Sequence, residues 1–141
     1  MGAEYNEDPE RPVESPKTWL QARLATGPPL LLDGAMGTEL ERRGVATELP
    51  LWSTLALLEG PQRVAEIHQD YAAAGAEILT ANTFRTQRRT LRRKQRTETA
   101  EELTRCAVEL ARKVASEASR PILVAGSAPP LEDCYRPDLV P

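Results

Sequence analysis

A short apolar run that ends abruptly in Asp-Gly is the feature that most constrains the fold of this chain. Leu30–Leu32 forms the run, Asp33 and Gly34 end it, and a segment with helical spacing follows at once. Buried parallel strands are typically followed by a loop and a helix in this way. The pattern predicts an α/β fold with the Asp33 carboxylate at the carboxyl end of the first strand.

The same pattern occurs twice more along the chain. Residues 76–81 and 121–125 are apolar stretches of strand length, and each ends in small or polar residues. The carboxyl ends of parallel strands meet at one edge of a sheet, which is where ligands bind in α/β folds. The residues that we expect at this edge are Asp33, Gly34, Asn82, Thr83, Gly126 and Ser127.

A purely structural interpretation of these strand ends is also open. Asp33 could cap the helix that follows it, and Gly34 could simply allow the chain to turn. Asn82 and Thr83 could satisfy backbone groups of their own loop, as these residue types often do. Repetition of the pattern at successive strand ends favours a ligand site over this alternative.

Helical spacing and end signals predict the remaining elements. Residues 1–15 are acidic and poor in apolar groups, which indicates a disordered leader. A short helix follows from Pro16 to the stop at Gly27. The other helices are predicted at 38–43, at the end of the segment 47–58, from 61 to the stop at Gly75, and at 97–119.

Length and charge limit the classes of protein that the chain can belong to. Its 141 residues suffice for one domain, and a net charge of −3 gives no overall attraction to nucleic acid or to an anionic membrane. The apolar stretches are too short to span a bilayer, and the acidic N-terminus does not read as a signal peptide. We therefore expect a cytoplasmic protein.

One segment is strongly basic, although the chain as a whole carries a net negative charge. Seven arginines and lysines lie between Arg85 and Arg96, and such a run could contact a phosphate backbone. No aromatic residue beyond Phe84 is interleaved, and glutamates follow closely. A solvated loop and helix surface is the favoured interpretation, and a nucleic-acid-associated protein is the alternative.

The histidine, one tryptophan and the two cysteines are residue types that often have catalytic or metal-binding roles, but here the sequence favours structural roles for them. His68, the chain's one histidine, lies on the apolar side of a helix, which predicts a hydrogen-bonded packing residue rather than a metal ligand. Trp52 is predicted to belong to the core rather than to a ligand platform. Cys106 and Cys134 lie far apart, so the spacing indicates neither a disulfide framework nor a zinc knuckle.

Three segments together resemble the homocysteine S-methyltransferase family, which includes betaine–homocysteine methyltransferase and the homocysteine domain of cobalamin-dependent methionine synthase. They are Leu31–Leu40 (LLDGAMGTEL), Gly75–Phe84 (GAEILTANTF) and Val124–Ser127 (VAGS). The resemblance covers about residues 28–130. It implies a (β/α)8 TIM barrel, of which residues 16–141 would be the N-terminal part with the first three strand-helix units.

The resemblance also implies a reaction and a substrate site. The reaction is transfer of a methyl group from a small donor to the thiol of homocysteine, which gives methionine. Asp33 would pair with the ammonium group of the amino acid, and Asn82 and Thr83 would orient it. The residues that the resemblance assigns to the substrate pocket are Asp33, Gly34, Ala35, Asn82, Thr83, Gly126 and Ser127.

The chain differs from the family in the residues that bind the metal ion. In the family a zinc ion held by three cysteines activates the thiolate, and some of these cysteines come from a Gly-Gly-Cys-Cys motif on a late strand. That motif is absent here, and Cys106 and Cys134 do not match the ligand positions. Zinc is therefore implied as a cofactor by resemblance, while this chain lacks its ligands.

Without those ligands we expect no turnover by this chain alone. It would work as a fragment or split subunit, with the missing barrel portion or a second copy as its partner. The alternative is a non-catalytic amino-acid-binding module or a gene remnant.

Overall fold

The computed structural model describes residues 15–93 and 99–130, together with 135, 136 and 138. Residues 1–14 of the predicted leader 1–15, and Cys134, lie outside the described residues. The helices are α1 (Pro16–Ala25), α2 (Met36–Arg42), α3 (Leu55–Glu59), α4 (Pro61–Ala73), α5 (Arg88–Arg93) and α6 (Ala100–Glu117), with a 3₁₀ turn at Trp52–Thr54 before α3. The strands are β1 (Ile78–Thr80) and β2 (Leu123–Ala125). The chain divides into two compact units, Met1–Leu30 and Leu31–Pro141.

The first unit contains α1, which forms as its end signals predict. The Ser15 hydroxyl oxygen accepts a hydrogen bond from the Thr18 amide at 3.2 Å, and a proline occupies the first turn. Beyond the helix, the Arg23 guanidinium donates to the carbonyl oxygens of Pro28 and Pro29, each at 3.0 Å. These bonds hold the proline segment against the helix from which Arg23 projects.

Two parallel strands form the sheet of the second unit. The paired residues are Ile78 with Leu123, Leu79 with Val124, and Thr80 with Ala125. Both strands lie inside the segments predicted as strands and are shorter than predicted. α6 lies between them in sequence and packs against both, which is the arrangement of a parallel β-α-β unit.

The prediction of a buried first strand at Leu30–Leu32 is wrong. Among the described residues this segment makes a single parallel bridge, Leu32 to Ile78, and its Leu31 carbonyl accepts from the Glu77 amide at 2.8 Å. The side chains of Leu31 and Leu32 are 52% and 62% exposed. An apolar run is buried on both faces only where layers cover both, and the described residues do not supply them here.

The described residues therefore form an α/β fold with three parallel segments, and they do not close a barrel.

Two apolar clusters hold this arrangement together. The first joins α2, α3, α4 and α6 through residues that include Leu40, Leu57, Val64, Ile67 and Leu103. The second packs the sheet on the later part of α6 and consists of Ala76, Leu79, Val114, Ala115 and Ile122.

The helix predictions for the second unit are confirmed, with small shifts at the ends. A capping box starts α6, since the Thr99 hydroxyl oxygen accepts from the Glu102 amide and the Glu102 carboxylate accepts from the Thr99 amide. Gly75 follows α4 with a φ of +109°, a conformation that favours glycine. No helix among the described residues is both long and apolar enough to cross a membrane.

The described part of the arginine-rich segment has both exposed and buried arginines. Lys94 and Arg96 lie outside the described residues. Arg88, Arg89 and Arg92 are exposed, which confirms a solvated surface for that part. Arg85 is only 6% exposed, so the same interpretation is wrong for this residue. Its guanidinium carbon lies 5.6 Å from the centre of the Phe84 ring, within the range of a cation–π contact.

His68 on α4 is fully buried, as a packing residue should be. The expected hydrogen bonds are not found, because neither ring nitrogen has a partner among the residues that the structure describes. Loss of water lowers the pKa of His68 below its ordinary value of 6.5, while the negative charge of Asp33 acts in the opposite direction. The imidazole is therefore neutral in the folded protein at neutral pH.

This burial predicts a loss of stability in acid. In the unfolded chain His68 binds a proton near pH 6.5, whereas in the folded chain it does so only at lower pH. The neutral His68 therefore contributes fully to the stability of the fold above pH 6.5, and this contribution is lost as the pH falls below that value. One proton changes the free energy of unfolding by at most about 1.4 kcal/mol per pH unit. Urea unfolding of the wild type and of His68→Leu between pH 7.5 and 5 measures how the free energy of unfolding changes with pH. The variant should lose less stability than the wild type over this range; equal losses would contradict the assignment.

Candidate functional site

A cavity of about 330 Å³ opens at the carboxyl ends of the parallel segments. Its wall comes from the turn after Leu32, the start of α2, the 3₁₀ turn at Trp52–Thr54, the last residue of β1, and residues that follow β1 and β2. The sequence predicts a site at this edge. The structure places a cavity there, within the second unit of the chain.

Asp33 contributes the carboxylate of this wall and is held by one residue of β1. Its Oδ2 accepts a hydrogen bond from the Thr80 amide, and its Oδ1 accepts one from the Thr80 hydroxyl, both at 2.7 Å. The Asp33 amide donates to the Ile78 carbonyl at 3.0 Å. Each carboxylate oxygen retains capacity for a further hydrogen bond, which a cationic ligand can use.

The alternative interpretation of Asp33 as a helix cap is wrong. The residue at the N-cap position of α2 is Ala35, and no side chain caps it. The Asp33 carboxylate instead bonds to Thr80, which lies 47 positions away in the sequence. Its position therefore depends on tertiary structure and is not part of a local turn.

Asn82 lines the cavity and also has a structural role, which differs from the bonding within its own loop that the alternative gave it. Its Oδ1 accepts from the Ser53 hydroxyl at 2.7 Å, and its Nδ2 donates to the Ser53 carbonyl at 2.8 Å. Asn82 and Ser53 are 5% and 7% exposed. The pair fixes the 3₁₀ turn beside β1. The second N–H of the amide is chemically available for a ligand.

Thr83 and Ser127 form a second reciprocal pair, which joins the ends of β1 and β2. The Thr83 hydroxyl donates to the Ser127 carbonyl at 2.7 Å and accepts from the Ser127 amide at 2.8 Å. Ser127 lines the cavity, whereas neither Thr83 nor Gly126 is among its lining residues. Of the predicted positions, those on the cavity wall are Asp33, Gly34, Ala35, Asn82 and Ser127.

Several wall residues were missed from the sequence. Thr80 and Phe84 lie two residues before and after Asn82, and the alternation of side chains along a strand could have indicated Thr80. Trp52 was predicted as core but is only half-buried and forms part of the wall. Its φ of +47° is rare for a bulky residue, and nothing in the sequence signals it.

The described residues do not fit a three-cysteine zinc centre. No group of three histidine, cysteine, aspartate or glutamate side chains close enough to hold a metal occurs in the described ranges. Cys106 is partly buried on α6 and packs against the first apolar cluster. Burial, and secondarily the charge of Glu109, raises the pKa of its thiol. The described residues supply a carboxylate and hydrogen-bonding groups to the cavity, and they form no three-ligand metal group.

The structure is that of an α/β protein with a cavity at the carboxyl ends of its parallel segments. The chain belongs to the homocysteine S-methyltransferase family, whose model matches residues 30–140. It is 42% identical over 67 residues to homocysteine S-methyltransferase YbgG of Bacillus subtilis (strain 168) and 50% identical over 58 residues to the homocysteine S-methyltransferase of Escherichia coli (strain K12). These alignments cover 48% and 41% of this chain, and 21% and 19% of the relatives.

A solved structure shows the same relation in three dimensions. The metallated form of the homocysteine methyltransferase MmuM from Escherichia coli superimposes with a TM-score of 0.70 and 37% sequence identity. The superposition covers 79% of this chain and 41% of MmuM. The chain thus spans about a fifth of the length of the curated relatives in these alignments, and about two fifths of the solved one.

The Thr83–Ser127 pair predicts a specific stability loss. Thr83→Val removes the hydroxyl that both donates and accepts, leaving polar backbone groups of Ser127 without this partner, and should lower the free energy of unfolding by about 1–3 kcal/mol. Urea unfolding measures the change. The matched control is Thr38→Val at an exposed position of α2, expected within about 0.5 kcal/mol of the wild type. Equal losses in the two variants would show that the pair does not stabilise the strand ends.

Proposed function

We propose that this chain forms the homocysteine-binding part of a homocysteine S-methyltransferase. The reaction is transfer of a methyl group from a small donor to the homocysteine thiol, which gives methionine. The observation that carries the proposal is the Asp33 carboxylate on the cavity wall, held by two hydrogen bonds from Thr80 within the segment that matches the family.

Asp33 is suited to hold the ammonium group of an amino acid. A carboxylate and an ammonium group form charge-assisted hydrogen bonds, which are stronger than neutral ones. The two bonds from Thr80 fix both oxygens before the ligand arrives, so less conformational freedom is lost on binding. Asn82 and Ser127 contribute further polar groups on the same wall.

The rest of the wall suits the side chain of homocysteine. Met36, Trp52 and Phe84 offer apolar surface beside the carboxylate. Methylene groups and a sulfur atom pack well against such surface, whereas the charged end of the amino acid requires Asp33. In the reaction a sulfur lone pair attacks the methyl carbon. The bond from that carbon to the donor breaks, its electron pair leaves with the donor, and the proton of the thiol passes to solvent.

We assign to this chain the binding of the amino acid rather than activation of the thiol. The family resemblance implies zinc, which would lower the pKa of the thiol, but the described residues offer no three-ligand group to hold it. In the whole sequence only Cys106 and Cys134 are cysteines. A non-catalytic amino-acid-binding module is therefore the second candidate, favoured by this missing ligand set.

Asp33→Asn tests the carboxylate directly. The amide can still accept the Thr80 N–H and donate to the Thr80 hydroxyl, so the fold should persist, but the charge that attracts the ammonium group is lost. We expect the Kd for L-homocysteine to rise at least about tenfold, by isothermal titration calorimetry under reducing conditions. The matched control is Asp70→Asn on the exposed side of α4, which should leave the Kd unchanged.

The outcomes separate the candidates. Binding that depends on Asp33, together with methionine formation from a methyl donor, supports the methyltransferase part. The same binding without methionine formation supports the binding module. If the wild-type chain does not bind L-homocysteine, or if both variants bind as the wild type does, the proposed site is wrong.

A further inference from the structure

The turn between Asp33 and α2 is contacted by one side chain from α4. The Tyr71 hydroxyl donates a hydrogen bond to the Ala35 carbonyl at 3.3 Å. The same carbonyl accepts the first backbone bond of α2, from Glu39 at 3.4 Å. Tyr71 therefore bonds to the residue at which the turn ends and the helix begins.

Gly34 allows the phenol ring to come this close. A Cβ atom at position 34 would lie 2.6 Å from the Tyr71 hydroxyl oxygen and 2.9 Å from two ring carbons, which is closer than such atoms approach. The ring thus covers the backbone directly after Asp33. The need for glycine here comes from this contact as well as from the turn.

Tyr71 is also linked, through a backbone hydrogen bond, to the segment that leads into β1. Its own backbone carbonyl accepts from the Ala76 amide at 3.0 Å, at the end of α4. β1 begins two residues later and carries Thr80, whose two hydrogen bonds hold the Asp33 carboxylate. The Asp33 turn is therefore held by Thr80 through the carboxylate and by Tyr71 through the next two residues.

We propose that Tyr71 is a positioning residue for the Asp33 carboxylate: its hydroxyl and ring hold the Gly34–Ala35 turn, so that Asp33 keeps the geometry that receives the ammonium group of the amino acid. This inference rests on the proposed function for its ligand. It concerns a residue outside the cavity wall, which acts through the backbone and does not touch the substrate.

The protonation state of Tyr71 is consistent with a donor role. Partial loss of water, followed by the negative charges of Glu39 and Asp33, raises the pKa of the phenol, while Arg42 and Arg43 act in the opposite direction. The hydroxyl therefore keeps its proton at neutral pH and can donate to Ala35.

Tyr71→Phe removes the hydroxyl and keeps the ring, and two measurements separate positioning from simple stability. In ligand-free protein, the ¹H–¹⁵N amide resonances of Ala35 and Thr80 should shift while the melting temperature stays close to that of the wild type. The Kd for L-homocysteine should rise about fivefold to tenfold. The Kd for 4-mercaptobutanoate, which lacks the amino group, should not change.

The matched control is Tyr135→Phe, which removes the same hydroxyl from an exposed residue outside the described cavity wall. It should change neither the amide resonances nor the two Kd values. Gly34→Ala tests the contact from the other side and should shift the same resonances, because the added methyl group displaces the ring.

Unshifted Ala35 and Thr80 resonances in Tyr71→Phe would overturn the proposal, as would equal losses of affinity for the two ligands. If the wild-type chain binds neither ligand, the proposed function fails, and the ligand-free resonances still decide whether Tyr71 holds the turn.

Discussion

The site depends on the pair formed by the Asp33 carboxylate and Thr80. Hydrogen bonds to an ionised group are stronger than neutral ones, and here both carboxylate oxygens accept one from the same residue. Thr80 is itself fixed, because it pairs with Ala125 in the sheet and follows the fully buried Leu79. The charge on the cavity wall therefore takes its position from the core of the second unit. A short loop alone would not hold it as firmly.

The other polar residues at the strand ends mainly hold the frame around that charge. Asn82 bonds reciprocally to Ser53 and so fixes the 3₁₀ turn, while Thr83 bonds reciprocally to Ser127 and joins the ends of the two strands. Most buried polar groups in proteins are hydrogen-bonded, and these pairs supply such bonds directly between protein groups. Binding and structural interpretations of such residues are thus compatible, since Asn82 also lines the cavity.

Much of the fold could be predicted because its signals are local. Apolar runs marked β1 and β2, and helical spacing with end signals marked α4 and α6. The predictions that fail concern burial. Leu31 and Leu32 are exposed because the described residues do not cover them, and Arg85 is buried within a segment whose charge suggests solvent. Burial depends on which elements pack together, and composition does not report this.

By itself the sequence determined the types of most elements, the order of the strand ends and the presence of Asp33 after an apolar run. It also carried the three motifs of the family. Only the tertiary structure decided that Thr80 holds Asp33, that Trp52 lies on the cavity wall and that His68 is buried with no hydrogen-bond partner among the described residues. Periodicity reports neighbours a few residues apart, whereas Asp33 and Thr80 are separated by 47 positions and meet only when the strands are packed.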